Sequence, residues 1–405
     1  MLAKQDATAK TPTAEEMIAR ARALIPALAE RAPRGERERR LSKETIAEMQ
    51  AAGLFKVLQP KRWGGYELDI LTYYEVQMAL GEGDMSVAWV YGVVGVHPWS
   101  LALFDDREAQ DVWGKDNTTL ICSSLMPVGQ ARPVEGGFRF SGRWKYASGC
   151  DHCEWAYLGG QVLGDQAPAP AGAPEDRRIF LIPRGDYEIV DTWHVPGLKA
   201  TGSQDIVIRD VFVPEYRTQK YADNFRCHGP GQALNTSPLY KLPFGQVFFR
   251  GVSTGAIGCL QGMLSAFLEY GQARVNRMHG NRASEDPLIQ LTCAEVRVAI
   301  DEMKTILHRN FKVLESYAAR SEIPPLKLRM EYKFHNAWVA ERCSLLAARL
   351  FKATGTAGIA AEHPFGRMLA DINVGRQHIS NQFEQAGRSF GATLFGIENN
   401  KDFVL

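Results

Sequence analysis

What this chain of 405 residues lacks narrows its function first. It has almost no net charge: 47 Lys and Arg stand against 46 Asp and Glu, a formal +1. No long-range field therefore draws nucleic acid or an anionic membrane surface to it. The basic runs Arg34–Arg40 and Arg274–Arg282 contain acids or lie beside helical patterns, and they read as solvated helix faces. Seven scattered cysteines, an odd number, exclude a disulfide scaffold and point to a reducing compartment. The one close pair, Cys150 and Cys153, has no second pair to complete a zinc site and no thioredoxin-like helix to open, so no metal site is expected. Long apolar runs are missing as well; Val87–Val96, the most apolar stretch, is too short to span a bilayer. Met1–Thr13 has no apolar core of the kind a secretion signal needs, so a cytoplasmic protein is expected. No G-x-G-x-x-G follows a strand, and P-loop, H-E-x-x-H and G-x-S-x-G motifs are absent, which excludes the common dinucleotide, nucleotide, zinc-protease and serine-hydrolase sites.

What is present falls into three textures. Residues 1–118 read as helices. Thr13-x-x-Glu16 is a capping box, and Met17, Ile18, Ala21, Leu24, Ile25 and Leu28 follow at helical spacing, with Pro26 expected to kink the helix. A second helix starts near Ser42, and two more are expected over 70–80 and 85–97, with Pro98 as a boundary. Residues 119–228 change to short alternating runs separated by turns, the pattern of a β-sandwich or barrel. Its Pro/Ala/Gly-rich insert 164–176 is expected to be a mobile loop. Residues 229–405 return to helical periodicity, with long helices expected at 289–319, 325–353 and 364–383. Gly251, Gly255, Gly258 and Gly262 recur on one helix face, which predicts very close packing against a neighbouring helix. The fold class is thus α+β, with an N-terminal helical domain, a middle β domain and a C-terminal four-helix bundle.

Chemistry-bearing residues are spread along this order. Residues 144–152, Trp-Lys-Tyr-Ala-Ser-Gly-Cys-Asp-His, end a strand in a turn that presents Ser148 beside aromatic rings and a flexible Gly149. His97 precedes Pro98 at the end of an apolar helix. Ser123 and Ser124 are adjacent in one strand, so one of them must face inward and find a partner. His378 falls among the polar residues Arg376, Gln377, Ser380 and Asn381 of a helical pattern, and Arg274 follows Tyr270 by four residues.

Taken together with Gly197-Leu-Lys-Ala-Thr-Gly-Ser-Gln-Asp205 and Gly95-Val-His-Pro-Trp-Ser-Leu-Ala-Leu-Phe104, this order resembles the acyl-CoA dehydrogenase fold from about Leu41 onward. Within that fold it is most similar to the oxygenase components of two-component flavin-dependent monooxygenases, such as those hydroxylating p-hydroxyphenylacetate and a phenolic secosteroid. The resemblance implies reduced FMN or FAD as a diffusible cosubstrate, O2, a C4a-hydroperoxyflavin, a separate NAD(P)H:flavin reductase, a phenolic substrate hydroxylated ortho to its hydroxyl, and a homotetramer. Site residues follow from it too. Trp89 and Ser123 would contact flavin or substrate, and Tyr146, Ala147 and Ser148 would line the isoalloxazine edge, with Ser148 near N5. Arg274 would meet the phosphates, and Thr356 and Ala357 in the Gly355-Thr-Ala turn would approach the cofactor across a subunit interface. His378 would be the base for the phenol, and His97 a second pocket histidine. Ile379 occupies the place where many dehydrogenases of the fold carry a catalytic glutamate. The alternatives are an N- or S-oxygenating monooxygenase of the same fold, a true acyl-CoA dehydrogenase, or a non-catalytic helical assembly.

Overall fold

The computed structural model describes residues 11–164, 176–275 and 282–397. Most of the expected insert, 165–175, lies outside the described residues, as do Val275's successors through Asn281 in the expected phosphate segment. The N-terminal part comprises α1 (Ala14–Glu38), α2 (Lys43–Ala51), α3 (Ile70–Gly83), α4 (Met85–Val94), α5 (His97–Leu101) and α6 (Asp106–Trp113). The capping box forms as predicted: the Thr13 side chain accepts from the Glu16 N–H while Glu16 reaches back to the Thr13 N–H. α1 continues unbroken through both Pro26 and Pro33. Asp84 separates α3 from α4 and caps the latter through the Ser86 N–H at 2.8 Å. Pro98 lies in the first turn of α5, where a missing N–H costs nothing.

The middle part is a single mixed sheet built from β1 (Ile121–Val134), β2 (Gly137–Ala147), β3 (Trp155–Val162), β4 (Arg177–Pro183), β5 (Glu188–Val190), β6 (Gln204–Pro214) and β7 (Thr218–Lys220). Its strand order is β5-β6-β2-β1-β3-β4-β7, with β1 and β3 parallel. Register slips between Ser124 and Gly129, and again along β2, bend the sheet. The curl brings Phe140 of β2 and Phe180 of β4 to stack with ring centroids 4.1 Å apart although two strands separate them. The expected sandwich or barrel is therefore realised as one coiled sheet with free edges.

The chain then crosses α7 (Tyr221–Phe225) into α8 (Phe244–Ala273), α9 (Pro287–Ala319), α10 (Leu326–Thr354), α11 (Phe365–Arg376) and α12 (Phe383–Leu394). α8 is the axis of the molecule. A Cβ at Gly258 would collide with the Met78 carbonyl and one at Gly262 with the Glu82 carbonyl, both on α3. Gly251 meets the Gly92 backbone of α4 in the same way. Among the described residues α8 alone is long and apolar enough to cross a membrane, and 78% of its apolar window is buried inside the fold. The helix expected over 364–383 instead ends at Arg376: His378 caps a short 3-10 turn, and α12 begins at Phe383.

Candidate functional site

The site forms where the end of β2 meets α4. Tyr146 has φ +67°, an uncommon conformation for a residue with a side chain, and the turn closes with a Ser148 N–H to Tyr146 carbonyl bond of 3.0 Å. Gly149 follows at φ +71°, and a Cβ there would press on Val90 Cγ1 of α4 at 2.9 Å, so glycine is required twice over. This clamps Ser148 against α4, where Trp89 Nε1 donates to its hydroxyl at 3.1 Å. Ser148 Oγ lies 2.7 Å from Ser203 Oγ, which lies 2.6 Å from Thr201 Oγ1; Thr201 donates to the Leu198 carbonyl at 2.8 Å. These contacts give the chain of hydroxyls a direction. Thr201 spends its proton on Leu198, so Ser203 donates to Thr201 and Ser148 donates to Ser203. Ser148 thus keeps a lone pair to accept with, beyond the one facing Trp89.

Opposite this hydroxyl chain stands His378, half-buried, its ring edge-on to Trp89 at 5.7 Å between centroids. Its Nδ1 lies 2.6 Å from Ser380 Oγ and accepts from the Ser380 N–H at 3.2 Å. An accepting Nδ1 places the proton of the neutral ring on Nε2. The protein packed around the ring lowers its pKa from 6.5 to about 4, so it is neutral at ordinary pH. α11 is held against α4 by Gly375, whose Cβ position faces Met85 Cε and Trp89 Cζ3. The same helix reaches the β2 side through Asp371, which accepts from the Leu198 N–H at 2.6 Å.

A second cluster lies one helix further on. His97 is 1% exposed, and its ring packs on Tyr157 and Phe248 at 5.3 and 5.7 Å. Burial alone lowers its pKa to about 3. Ser100 donates to the His97 carbonyl at 3.1 Å and lies 3.1 Å from His97 Nδ1, so the tautomer that satisfies both contacts carries its proton on Nδ1. Nε2 is then a bare acceptor, fully buried and without a partner among the described residues. Tyr157 is the register partner of Ser123 on the parallel strand β3, so the two side chains share one face of the sheet. Of the adjacent serines, Ser124 donates to the Lys145 carbonyl at 2.7 Å, whereas the Ser123 hydroxyl has no hydrogen bond to the described residues. Tyr157 is itself fixed by donating to Glu108 at 3.3 Å; burial raises that carboxyl well above its usual range. The outcome is a neutral acceptor and an uncommitted hydroxyl beside an aromatic wall.

The remaining expected residues divide clearly. Ala147 is buried and Tyr146 is 65% exposed, its ring resting on Trp193 at 6.0 Å. Trp144, expected beside the ligand, is instead fully buried in the sheet, donating to the Gly159 carbonyl at 2.7 Å; the ring beside Ser148 is Trp89. Arg274 sits at the far end of α8, where Nη1 donates to the Ala353 carbonyl at 3.0 Å and a Cβ at Gly355 would strike its guanidinium. Thr356, Ala357 and Ile379 are exposed. From Gly255, which packs on Ala88 of α4, to Arg274 is about 28 Å of helix at 1.5 Å per residue. Arg274 and the Gly355 turn therefore form a second group, distant along α8 from the Trp89–Ser148 cluster. Thr201 and Ser203 were not singled out by sequence; only the folding of Gly197–Asp205 against β2 reveals them. No ligand or metal is needed to explain the positions of Cys150 and Cys153, both buried with their thiols donating to backbone carbonyls.

Comparison with known proteins identifies the family and the fold. Residues 11–113 match the acyl-CoA dehydrogenase N-terminal domain and residues 251–383 the acyl-CoA dehydrogenase C-terminal domain. The chain is 36% identical, over 93% of its length and 97% of the relative's, to the flavin-dependent monooxygenase oxygenase subunit HsaA of Rhodococcus jostii. It is 31% identical, over 90% of both chains, to the oxygenase component of an FADH2-dependent resorcinol hydroxylase from a Rhizobium strain. Among solved structures, the 3-HSA hydroxylase from Rhodococcus sp. RHA1 superposes with a TM-score of 0.90 at 34% identity, covering 96% of this chain and 99% of that one.

Proposed function

This chain belongs to the flavin-dependent monooxygenases of acyl-CoA dehydrogenase fold, as an oxygenase component that hydroxylates aromatics with reduced flavin and oxygen, and from that premise we propose that its substrate is a phenol, hydroxylated ortho to its hydroxyl group. Reduced FMN or FAD would be supplied by a separate NAD(P)H:flavin reductase. What supports this reading is that the bare His97 Nε2 and the unbonded Ser123 hydroxyl both belong beside Tyr157, His97 by ring contact and Ser123 by strand register.

Reduced flavin, when bound, supplies the activation of oxygen and the transfer of one oxygen atom. The residues of the chain fit such a group: the free lone pair of Ser148 suits the N5–H of a reduced isoalloxazine, and Trp89 holds the serine in place. A hydroxyl that accepts here keeps the N5 proton from leaving. His378 carries its neutral proton on Nε2, so it is suited to donate toward the flavin rather than to take a proton from the phenol. His97 is suited to accept instead. A phenol near its usual pKa of about 10 keeps its proton at neutral pH. A buried acceptor that stays neutral at that pH, His97 Nε2, would accept a hydrogen bond from the phenol O–H and orient the ring for attack. Ser123 would donate to the phenol oxygen from the other side. This divides the two histidines differently from the family-based expectation, in which His378 was the base. Exclusion of water is provided by Tyr157, Phe248 and Trp89, all buried.

Ile379, 58% exposed, weighs against dehydrogenation of an acyl-CoA, since it stands at the position where many, though not all, dehydrogenases of the fold carry their catalytic glutamate. The distance of Arg274 from Ser148 along α8 supports a flavin completed by a second copy. Exposed Leu288, Leu291 and Val298 on α9, with Trp338 and Leu345 on α10, support burial against other copies in a homotetramer. Seven free cysteines support a reducing, cytoplasmic location. The test compares His97→Ala, Ser123→Ala and His378→Ala with wild type, given reduced flavin, oxygen and a phenol. Loss of hydroxylated product with continued oxygen consumption is expected of the first two; normal product from His97→Ala would refute the assignment.

A further inference from the structure

Asp371 of α11 is 1% exposed, and no step of the proposed reaction uses it. Burial and the nearby Asp84 both penalise its charge. A carboxyl kept at such a position needs a reason among the groups it bonds. Asp371 accepts from the Leu198 N–H at 2.6 Å, which ties α11 to the Gly197–Asp205 segment. The two backbones are pressed together there, since a Cβ at Gly197 would collide with the Ala370 carbonyl. Leu198 itself is left-handed at φ +52°, a conformation that a residue with a side chain holds only under outside constraint.

Leu198 is also where the hydroxyl chain ends. Its carbonyl receives the Thr201 hydroxyl at 2.8 Å, Trp193 Nε1 at 2.9 Å and the Thr201 N–H at 3.1 Å. The bond from the Thr201 hydroxyl sets the sense of the chain, from Ser148 through Ser203 to Thr201. Were Leu198 to swing away, the Thr201 proton would be free to turn onto Ser203, and that of Ser203 onto Ser148. Ser148 would then accept from both Ser203 and Trp89 Nε1, with only its own proton left to offer. An N5–H would meet an O–H in place of a lone pair.

We propose that Asp371 is a positioning residue for the oxygenation: by holding the Leu198 N–H it fixes the carbonyl that orients the hydroxyl chain, and so keeps Ser148 an acceptor. This rests on the reading of Ser148 as the acceptor for the flavin N5–H. α11 thereby serves both ends of the chain. Asp371 sets Leu198 at one end, and at the other Gly375 lies against Trp89, its Cβ position 3.2 Å from Cζ3 of the ring that donates to Ser148.

Hydrogen exchange on the full chain without flavin reads the anchor. In Asp371→Ala the amides of residues 197–202 and of Gly149, whose N–H bonds the Thr201 carbonyl at 2.9 Å, should exchange about tenfold faster. Asp371→Asn should restore wild-type protection. Asp371→Ser, polar but one bond short of the Leu198 N–H, replaces the alanine variant if that does not fold. With chemically reduced FMN, oxygen and a phenol, Asp371→Ala should release peroxide in excess over product as Ser148→Ala does. The double variant should release no more than Ser148→Ala, because both changes act on one group. Unchanged exchange in Asp371→Ala, no restoration by Asn, or additive peroxide release in the double variant would overturn the proposal. Uncoupling by Ser148→Ala but not by Asp371→Ala would overturn it and leave the N5 reading standing. A fully coupled Ser148→Ala would overturn the N5 reading, and the proposal with it.

Discussion

Substituting Phe for His97 should flatten the acid limb of the protein's stability. The imidazole is 1% exposed, no charged group among the described residues acts on it, and burial takes its pKa from 6.5 to about 3. Between those values the unfolded chain binds a proton that the folded chain refuses, so stability falls as the pH drops through that window. From pH 6.5 to 5.0, at about 1.36 kcal/mol per pH unit, the loss attributable to this one residue is about 2 kcal/mol. Phe keeps the ring contacts with Tyr157 and Phe248 and removes the contact with Ser100, a change whose cost does not vary with pH in this range. His378, also lowered, is present in both proteins and cancels in the comparison. Urea unfolding of both proteins at pH 7.0 and 5.0 gives the difference directly. Wild type should lose about 2 kcal/mol more than the variant; parallel losses would show that the buried imidazole is not held neutral, and the acceptor role argued for Nε2 would go with it.

Three other substitutions probe the framework around the site. Ser148→Ala strands Trp89 Nε1 and breaks the hydroxyl chain, so it should cost about 1–3 kcal/mol in thermal unfolding and increase peroxide release relative to product, read by catalase-sensitive oxygen uptake. Asp371 is raised to about 7, first by burial and then by Asp84, so the folded chain binds the extra proton between pH 4 and 7 and wild-type stability falls as the pH rises through that window. Asp371→Asn keeps an acceptor for the Leu198 N–H without that titration, and its stability relative to wild type should improve from pH 5 to pH 8; a constant difference would mean that Asp371 does not titrate there. Gly258→Ala drives a Cβ into the Met78 carbonyl, so α3 and α8 must part, with a loss of about 1–3 kcal/mol in thermal unfolding; an unchanged melting temperature would contradict the close helix contact.

Legibility in the sequence followed the range of the forces involved. The glycine row of α8 was readable because close helix packing leaves a periodic mark, and each of Gly251, Gly258 and Gly262 meets a backbone carbonyl or Cα of α3 or α4. The Thr13–Glu16 box was readable because both its bonds are local. His378 was read as helical because the pattern runs on past Gly375 with no Pro to announce a stop; the stop is made by its own Nδ1 capping Ser380. That one of Ser123 and Ser124 faces a partner was evident, but which one depends on the Lys145 carbonyl across the sheet. Trp144 is a sheet residue, and Trp89, expected beside flavin or substrate, is the one that bonds Ser148; an indole ring shows in a sequence, whereas its hydrogen-bond acceptor does not. Thr201 and Ser203 gain meaning only when their loop lies against β2, with the Gly149 N–H bonded to the Thr201 carbonyl at 2.9 Å.

The most direct test of the phenol reading is the fate of labelled oxygen. The protein would be mixed anaerobically with chemically reduced FMN or FAD and a panel of phenols paired with their O-methyl ethers, then exposed to 18O2. The account predicts one 18O atom on the ring carbon ortho to the hydroxyl of the phenol, with the ethers yielding only peroxide. Equal oxygenation of the ethers, or label on a nitrogen or sulfur atom in preference to the ring, would contradict it.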